Sequence, residues 1–397
     1  MQTYKVASLF AGCGGTDVGV TGGFEYLGMS YGRHPTKLVY ANDFDEGACD
    51  LFDRNFDIKI DRGDIRKVDT SKIPTYDILT AGFPCQSFSI VAQNPPRLGI
   101  KDSDKGTLFE EVCRFLRDHQ PRAFICENVK GILSANKGKA FPIILDSLRR
   151  CGYAVTHMLL NAAKFGVPQR RERVFIVGFK KPEDFSRFAV PSEVKTTAVL
   201  RSAVFDEGEI PEKYYFSDRA VAGMLAAKPE MNKGRAQNLD KPCGTVGAHL
   251  AKVSLNSTDP VLKIGGRYRR FMPREVARIQ SFPDSYVLDG VEARQYRALG
   301  NAIPPVLAWH VMNAVQRALE PKSAGGLITP VKSGGEEGWS EHHKRLDSKP
   351  VQMLLAVERK KARMTAMQTA KGYKGKKLTI KQEPKKTVKA RGGRKSR

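Results

Sequence analysis

Residues 82–89 read Gly-Phe-Pro-Cys-Gln-Ser-Phe-Ser and follow the apolar run Tyr76–Ala81. Pro84 has no N–H and a fixed φ, so neither a helix nor a strand ladder continues through it. Cys85 is therefore expected on a loop at the carboxyl end of a strand. That is where open α/β sheets carry out their chemistry. A cysteine offered there is a candidate nucleophile; the ordinary alternative is a small buried hydrophobe.

Five other clusters could work with it. Phe10-Ala11-Gly12-Cys13-Gly14-Gly15 follows the first apolar run. Glycines there permit a tight turn and close approach of a ligand to the backbone, and the helix N-terminus that follows suits an anionic group. Gly turns are also common in any α/β fold. Asp43 ends a second strand-like run and Asp64 follows a third. An acid at such a strand end can accept hydrogen bonds from ribose hydroxyls; the alternative is a helix cap or turn residue. Glu127 leaves the run Ala123–Cys126 and can lie beside Cys85 in a parallel sheet. A carboxyl in such a pocket can carry a raised pKa and hydrogen-bond a base ring. Gln169-Arg170-Arg171-Glu172-Arg173 precedes another strand. In an extended chain Arg171 and Arg173 share one face and Arg170 and Glu172 the other. Two guanidiniums on one face favour a thiolate, a carboxylate or phosphates. Finally, Gly300-Asn301-Ala302-Ile303-Pro304-Pro305 reads as a turn starting a helix, where Asn301 can hold a ligand or the turn itself.

Alternating strand-like and helix-like segments must position these groups. Tyr4–Phe10, Lys37–Asn42, Tyr76–Ala81, Ala123–Cys126, Tyr153–Leu160 and Val174–Phe179 read as strands. Asp17–Leu27, Glu46–Phe56, Thr107–His119 and Ala140–Arg150 read as helices. In Thr107–His119, Leu108, Val112, Phe115 and Leu116 recur at helical spacing. The rhythm predicts an α/β fold with a largely parallel sheet covered by helices on both faces. It fades after Lys180: residues 181–270 are Pro-, Gly- and Lys-rich and read as a smaller, irregular domain. Helical patterns return in Pro273–Gln280, Val291–Leu299 and Pro304–Leu319. The expected organisation is 1–180 and 271–320 in one catalytic unit, 181–270 as an insert, and 321–397 as linker and tail.

Composition narrows the partner. The 397 residues carry a formal net charge of +24, and 41% are hydrophobic, enough for an ordinary core. Residues 359–397 hold 16 Lys or Arg and one acid, Glu383. Such a tail is expected to be disordered and to be drawn to phosphates without sequence preference; the alternative is a plain solubilising end. A polyanion, nucleic acid above all, explains the excess charge. The seven cysteines, at 13, 49, 85, 113, 126, 151 and 243, form no C-x-x-C pair. That argues against a disulfide framework and a structural metal site, and for a reducing compartment. No run of 18 apolar residues and no signal-peptide pattern occurs, so the expectation is a soluble, cytoplasmic protein without a membrane partner.

Taken in order, the clusters resemble the DNA (cytosine-5) methyltransferases, over about residues 4–180 and 266–318. Phe10–Gly15 looks like that family's first motif, Phe83–Gln86 its catalytic motif, Glu127-Asn128-Val129 its glutamate motif and Gln169–Arg173 its arginine motif. Arg274–Asp284 and Gly300–Pro305 match the last two. The resemblance implies a Rossmann-like fold that binds S-adenosylmethionine and needs no metal. It implies donor contacts from Phe10, Gly12, Gly14, Asp43, Asp64, Ile65 and Asn301. The family usually has Glu at the position of Asp43, so the ribose contact would be adjusted. Cys85 would add to C6 of a cytosine flipped out of duplex DNA. Glu127 would hold the ring, with Arg171 and Arg173 supporting the charges. Ser87–Ser103 resembles a loop that closes over DNA, with Gln86, Ser87 and Ser89 as substrate contacts. Residues 181–268 stand where the family carries its target recognition domain, with Thr245 bracing the vacated backbone. The implied setting is a monomeric bacterial enzyme at the nucleoid, with a cognate restriction endonuclease as possible partner. The competing readings are an RNA cytosine methyltransferase on this fold and a catalytically inactive DNA-binding protein.

Overall fold

The protein is represented by a computed structural model. It describes residues 2–84, 108–194, 197–205, 210–226, 236–252 and 259–320. All of these belong to one compact unit within residues 1–331; residues 321–397 lie outside the described residues. Cys85, Gln86, Ser87, Ser89, the segment Ser87–Ser103 and the basic tail also lie outside them.

In chain order the first elements are β1 (Tyr4–Leu9), α1 (Gly15–Thr21), β2 (Phe24–Tyr26), β3 (Met29–Tyr31), β4 (Thr36–Asp43), α2 (Glu46–Asn55), β5 (Asp61–Arg62) and β6 (Ile78–Ala81). Then come α3 (Leu108–His119), β7 (Ala123–Val129), α4 (Ala140–Arg150), β8 (Ala154–Asn161), β9 (Glu172–Phe179), α5 (Pro182–Ser186) and α6 (Asp218–Ala226). The chain closes with β10 (Leu262–Ile264), β11 (Arg267–Arg269), α7 (Pro273–Ile279), α8 (Glu292–Asn301) and α9 (Pro305–Leu319).

Seven strands form one sheet in the order β5-β4-β1-β6-β7-β9-β8. The first five run parallel, and β9 enters antiparallel between β7 and β8. β9 can lie there because the short segment 162–171, with a single 3-10 turn at Ala162–Phe165 and no α-helical crossover, returns the chain from β8 antiparallel. One face of the sheet packs on α3 and α4 through Val112, Phe115, Leu116, Ile144 and Leu148. The other face packs on α9 through Val306, Leu307, Val311 and Val315. Helices thus cover both faces, as a buried parallel sheet requires.

Three expectations need correction. The helix expected over Asp17–Leu27 stops at Thr21, because Gly22 and Gly23 both take positive φ. The chain then makes a hairpin, with Leu27 (φ 46°) and Gly28 (φ 74°) at its turn. That left-handed pair is what a tight right-twisted hairpin demands. Second, β7 does not end before Glu127; it runs on to Val129, so Glu127 is held within the ladder rather than on a loop. Third, Asn301 closes α8 rather than starting a helix; the turn proper is Ala302–Pro304.

Residues 197–205, 210–226, 236–252 and 259–271 contribute a small core of their own, including Leu200, Val246, Leu250, Leu262 and Phe271, continuous with α7 and α8. A fully buried ion pair, Arg269–Glu275, joins β11 to α7. Both Glu275 oxygens accept from Arg269, and they also take the N–H groups of Phe205 and Met272. The two charges are compensated where solvent does not reach.

Candidate functional site

At the carboxyl edge of the parallel strands, the Gly-rich turn leaves β1. Phe10 sits at φ 55°, an uncommon backbone state for a non-glycine residue. Gly12 also has positive φ, and its N–H donates to Asp43 Oδ2 at 2.8 Å. Asp43 Oδ1 takes the Asp45 N–H, also at 2.8 Å. Asp43 therefore ties the turn to the end of β4, and burial holds its pKa above the usual carboxylate range. A side chain added at Gly12 would meet open space, so room is left beside the turn. One added at Gly15 would collide with the Ile303 carbonyl. The first turn of α1 is thus seated directly against the Ala302–Pro304 turn, and Asn301 lies exposed at that junction.

Asp64 behaves differently. It caps the short turn Ile65–Lys67, and its carboxylate grips the Arg66 side chain at 2.9 Å, which holds its pKa down. The capping alternative raised from sequence is what this carboxylate does here, and Ile65 beside it is buried. Sequence reasoning passed over Phe44. Its ring follows Asp43 directly and is 65% exposed, an unusual place for a large apolar side chain beside such a cradle. An aromatic residue directly after a strand-end acid was the available signal.

A second wall rises from β7 and β9. Arg173 Nε donates to Glu127 Oε1 at 2.9 Å, with the two side chains 11% and 12% exposed. Burial raises the Glu127 pKa; Arg173 first, then Arg171, oppose that rise. The carboxyl accordingly holds a proton more readily than a free one while remaining paired. Asn128, absent from the candidate residues, is buried and donates from Nδ2 to the Phe83 carbonyl at 2.9 Å. It fixes the loop two residues before Cys85. The position of a Gly82 side chain would lie 3.6 Å from the Phe10 carbonyl and 3.9 Å from both Glu127 Oε2 and Ile303 Cδ1. Phe10, Glu127 and the 302–304 turn thus converge within 4 Å of one point on the strand–loop junction that leads to Cys85.

Arg171 has another task. It is 1% exposed, and its guanidinium donates to the carbonyls of Val246 (3.0 Å), Gly300 (2.9 Å) and Ala302 (2.9 Å). Next to it, buried Gln169 receives the Val246 N–H at 2.9 Å and donates to Gln280 Oε1 at 2.7 Å. Gln280 in turn donates to the Leu299 carbonyl at 2.5 Å. These three side chains form a latch between the 243–247 strand-like segment, the end of α7 and the end of α8. Its Nη donors are met by carbonyls, so its influence on Glu127 is exerted through its charge rather than through a hydrogen bond. Gln169 stood in the quoted arginine run and Gln280 in the Arg-Ile-Gln-Ser-Phe run. A buried role for either requires knowing that two distant segments return to them.

Thr245 is exposed, and its hydroxyl donates to the Arg170 carbonyl at 2.8 Å. The latch therefore places it beside the arginine run. Among the described residues, no group of three or more His, Cys, Asp or Glu side chains is arranged to hold a metal, and no helix is long and apolar enough to cross a membrane.

The comparisons agree on what such a site belongs to. A family model described as C-5 cytosine-specific DNA methylase matches residues 4–317. The chain is 33% identical over 310 residues to "Type II methyltransferase M1.ScrFI" of Lactococcus lactis subsp. cremoris, covering 76% of this chain and 75% of that protein. It is 34% identical over 332 residues to "Type II methyltransferase M.HpaII" of Haemophilus parainfluenzae, covering 77% and 88%. Among solved structures, the Entamoeba histolytica methyltransferase EhMeth shares the fold with a TM-score of 0.63 at 16% identity, covering 81% of this chain and 100% of that one.

Proposed function

The chain belongs to the C-5 cytosine-specific DNA methylase family and is a DNA cytosine-5 methyltransferase; we propose that it methylates a cytosine extruded from a specific duplex sequence, through a covalent adduct with Cys85. The observation that supports this most is the convergence of Phe10, Glu127 and Ile303 around Gly82, three residues before Cys85. Donor side and base side meet at that point.

S-adenosylmethionine fits the cleft by its open space at Gly12 and by the seating of α1 against the 302–304 turn. Phe10, Gly12, Gly14, Asp43, Ile65 and Asn301 would hold it, Asp64 would join them by releasing Arg66, and the exposed ring of Phe44 is available to stack on its purine. When bound, it supplies an electrophilic methyl group. Asp43 keeps the Gly12 turn in place rather than moving protons.

The protein's own groups act on the base. C5 of cytosine is too electron-poor to take a methyl group unaided. The Cys85 thiolate adds to C6, and the electron pair passes into the ring, leaving C5 enamine-like. A carboxyl with a raised pKa at Glu127 donates to the ring nitrogen as that charge develops. Arg173 keeps the carboxyl oriented. After C5 is methylated it loses its proton, and Cys85 leaves as thiolate. Asn128 positions the Cys85 loop through Phe83. Thr245 and the latch present the recognition segment to the DNA backbone. Residues 181–270 form the target recognition domain in this reading. The relatives' names support a restriction-modification setting; a cognate endonuclease, a monomeric state and action in the cytoplasm at the nucleoid are part of the proposal.

Trapping tests the reading directly. An oligonucleotide carrying 5-fluorocytosine at the target should accumulate a covalent conjugate at Cys85 when donor is present, because fluorine cannot leave as the proton does. Cys85→Ala should form none and should incorporate no methyl label. Turnover by that variant would overturn the nucleophile assignment. Bisulfite sequencing of exposed DNA would give the site.

A further inference from the structure

Glycine marks both sides on which the 300–305 segment meets other backbone. On one side stands α1. A β-carbon added at Gly15 would collide with the Ile303 carbonyl, and one added at Gly19 with the Pro305 carbonyl. On the other side stands the segment after Thr245. A β-carbon added at Gly300 would collide with the Gly247 carbonyl and the Ala248 nitrogen. Gly300 is buried in the last turn of α8, so what glycine supplies there is room rather than a left-handed backbone.

Hydrogen bonds clamp this meeting point. Arg171 Nη2 donates to the Gly300 and Ala302 carbonyls, and its Nη1 donates to the Val246 carbonyl. Gln280 donates to the Leu299 and Ala302 carbonyls, and Gln169 Oε1 takes the Val246 N–H. Backbone thus touches backbone from α1 through 302–305 to Gly300 and on to 247–248, with no flexible side chain between to absorb a displacement. Close-packed contacts of that kind pass strain on. Each end of the path has room for a ligand: Gly12 faces open space, and Thr245 is exposed.

We infer that Gly300 is a positioning residue through which donor binding seats the recognition segment around Thr245. The inference rests on the donor cleft and the recognition segment proposed above. A donor lodged beside Gly12 holds α1 against the 302–304 turn. That turn holds Gly300 against 247–248 and so fixes Thr245 over the arginine run. Without donor, 245–248 spends more time lifted from α8. The affinities for donor and for target duplex are then linked, and each ligand strengthens the other by the same factor.

S-adenosylhomocysteine, which has no methyl group to give, is the probe. Calorimetry would measure its affinity with and without a duplex carrying the methylated site. Fluorescence anisotropy would measure the duplex affinity with and without the probe. In the wild-type chain each ligand should tighten the other about tenfold. Gly300→Ala should bring that factor to about one, while the probe alone binds nearly as before. Gly32→Ala adds its β-carbon in open space and should keep the full factor. A general loss of fold would act in the opposite direction, because either ligand would then refold the site for the other. Hydrogen exchange of the wild-type chain needs no variant: the Val246 amide should exchange more slowly once the probe is bound. A probe that fails to bind would remove the donor reading and this inference with it. A probe that binds while 243–248 and the duplex affinity stay unchanged would overturn the inference alone, as would a Gly300→Ala chain with full linkage.

Discussion

Arg171 and Arg173 leave the same five-residue run and face the same way, yet they build two different regions. Arg173 meets a carboxylate at the wall of the proposed base pocket. Arg171 meets three carbonyls in a latch. Both are desolvated, and burial lowers the pKa of each. A guanidinium stays charged even so. The wall balances that charge with an opposite one and so has a group that titrates. The latch balances it with dipoles, which do not titrate. The wall can therefore respond to a reacting base directly, while the latch holds geometry and reaches the wall only through the charge of Arg171 on Glu127. Strand alternation assigns the face; what comes back to that face assigns the role.

The largest effect should come from breaking the latch. Arg171→Met removes the donors from three carbonyls that solvent does not reach. Leaving such groups unsatisfied costs about 1–3 kcal/mol each, partly offset by relief of a buried charge, so a loss of roughly 3–5 kcal/mol is expected in urea unfolding. Arg171→Lys should recover little, because one ammonium cannot span three acceptors as the planar fork does. A variant as stable as the parent would mean that the carbonyls find other donors.

Breaking the wall should leave the fold and stop the chemistry. Glu127→Gln preserves shape and an acceptor for Arg173 but cannot donate from a carboxyl. A fall of about 10²–10³ in kcat, roughly 3–4 kcal/mol, is expected by analogy with loss of one preorganised donor. Donor binding, followed by calorimetry, should change little. If donor affinity fell as far as kcat, the wall and the cradle would have to be one region.

Asp17 separates a buried charge without a partner from both arginines. It lies in α1 at 1% exposure, with neither carboxylate oxygen in hydrogen-bond geometry. Burial lifts its pKa to about 7; the neighbouring Ser8 hydroxyl tempers the rise. The folded state therefore holds a proton that the unfolded chain releases near pH 4. Stability from this group is present below that pH and is lost as pH rises to 7. That rise corresponds to about 4 kcal/mol, less what a buried, unpaired Asn amide itself costs. Asp17→Asn should thus raise stability by about 2–3 kcal/mol at pH 8 and by nearly nothing at pH 4, read from urea midpoints. Equal gains at both values would rule out titration as the cause.

These differences mark what could be read in advance. Six of the seven sheet strands and α3, α4 and α9 were legible because each repeats an apolar period over enough residues to bury a face; β5, two exposed residues, was not. The hairpin after α1 was not, since its only signals are the paired glycines at 22–23 and Leu27-Gly28. Glu127 and Arg173 could be named because each stands where a strand pattern meets a charge. Their pairing depended on β9 lying antiparallel beside β7, a choice that local periodicity does not encode. The latch was the least visible part. Val246 and Gly300 are 75 and 129 residues from Arg171, and nothing in either segment announces a buried guanidinium.

The basic tail gives the smallest expected effect and tests whether affinity and specificity reside in different regions. Its 16 basic residues and single acid can attract phosphates, a contact that carries no base information. Deleting 359–397 should weaken duplex binding by about tenfold near 0.1 M salt and flatten the slope of log affinity against log salt. The preference for the target sequence over a one-base variant should remain, because that difference would reside in the segment latched through Val246. An unchanged salt slope would show that the phosphates are met entirely by the folded unit. A lost preference would show that the tail orders the recognition segment.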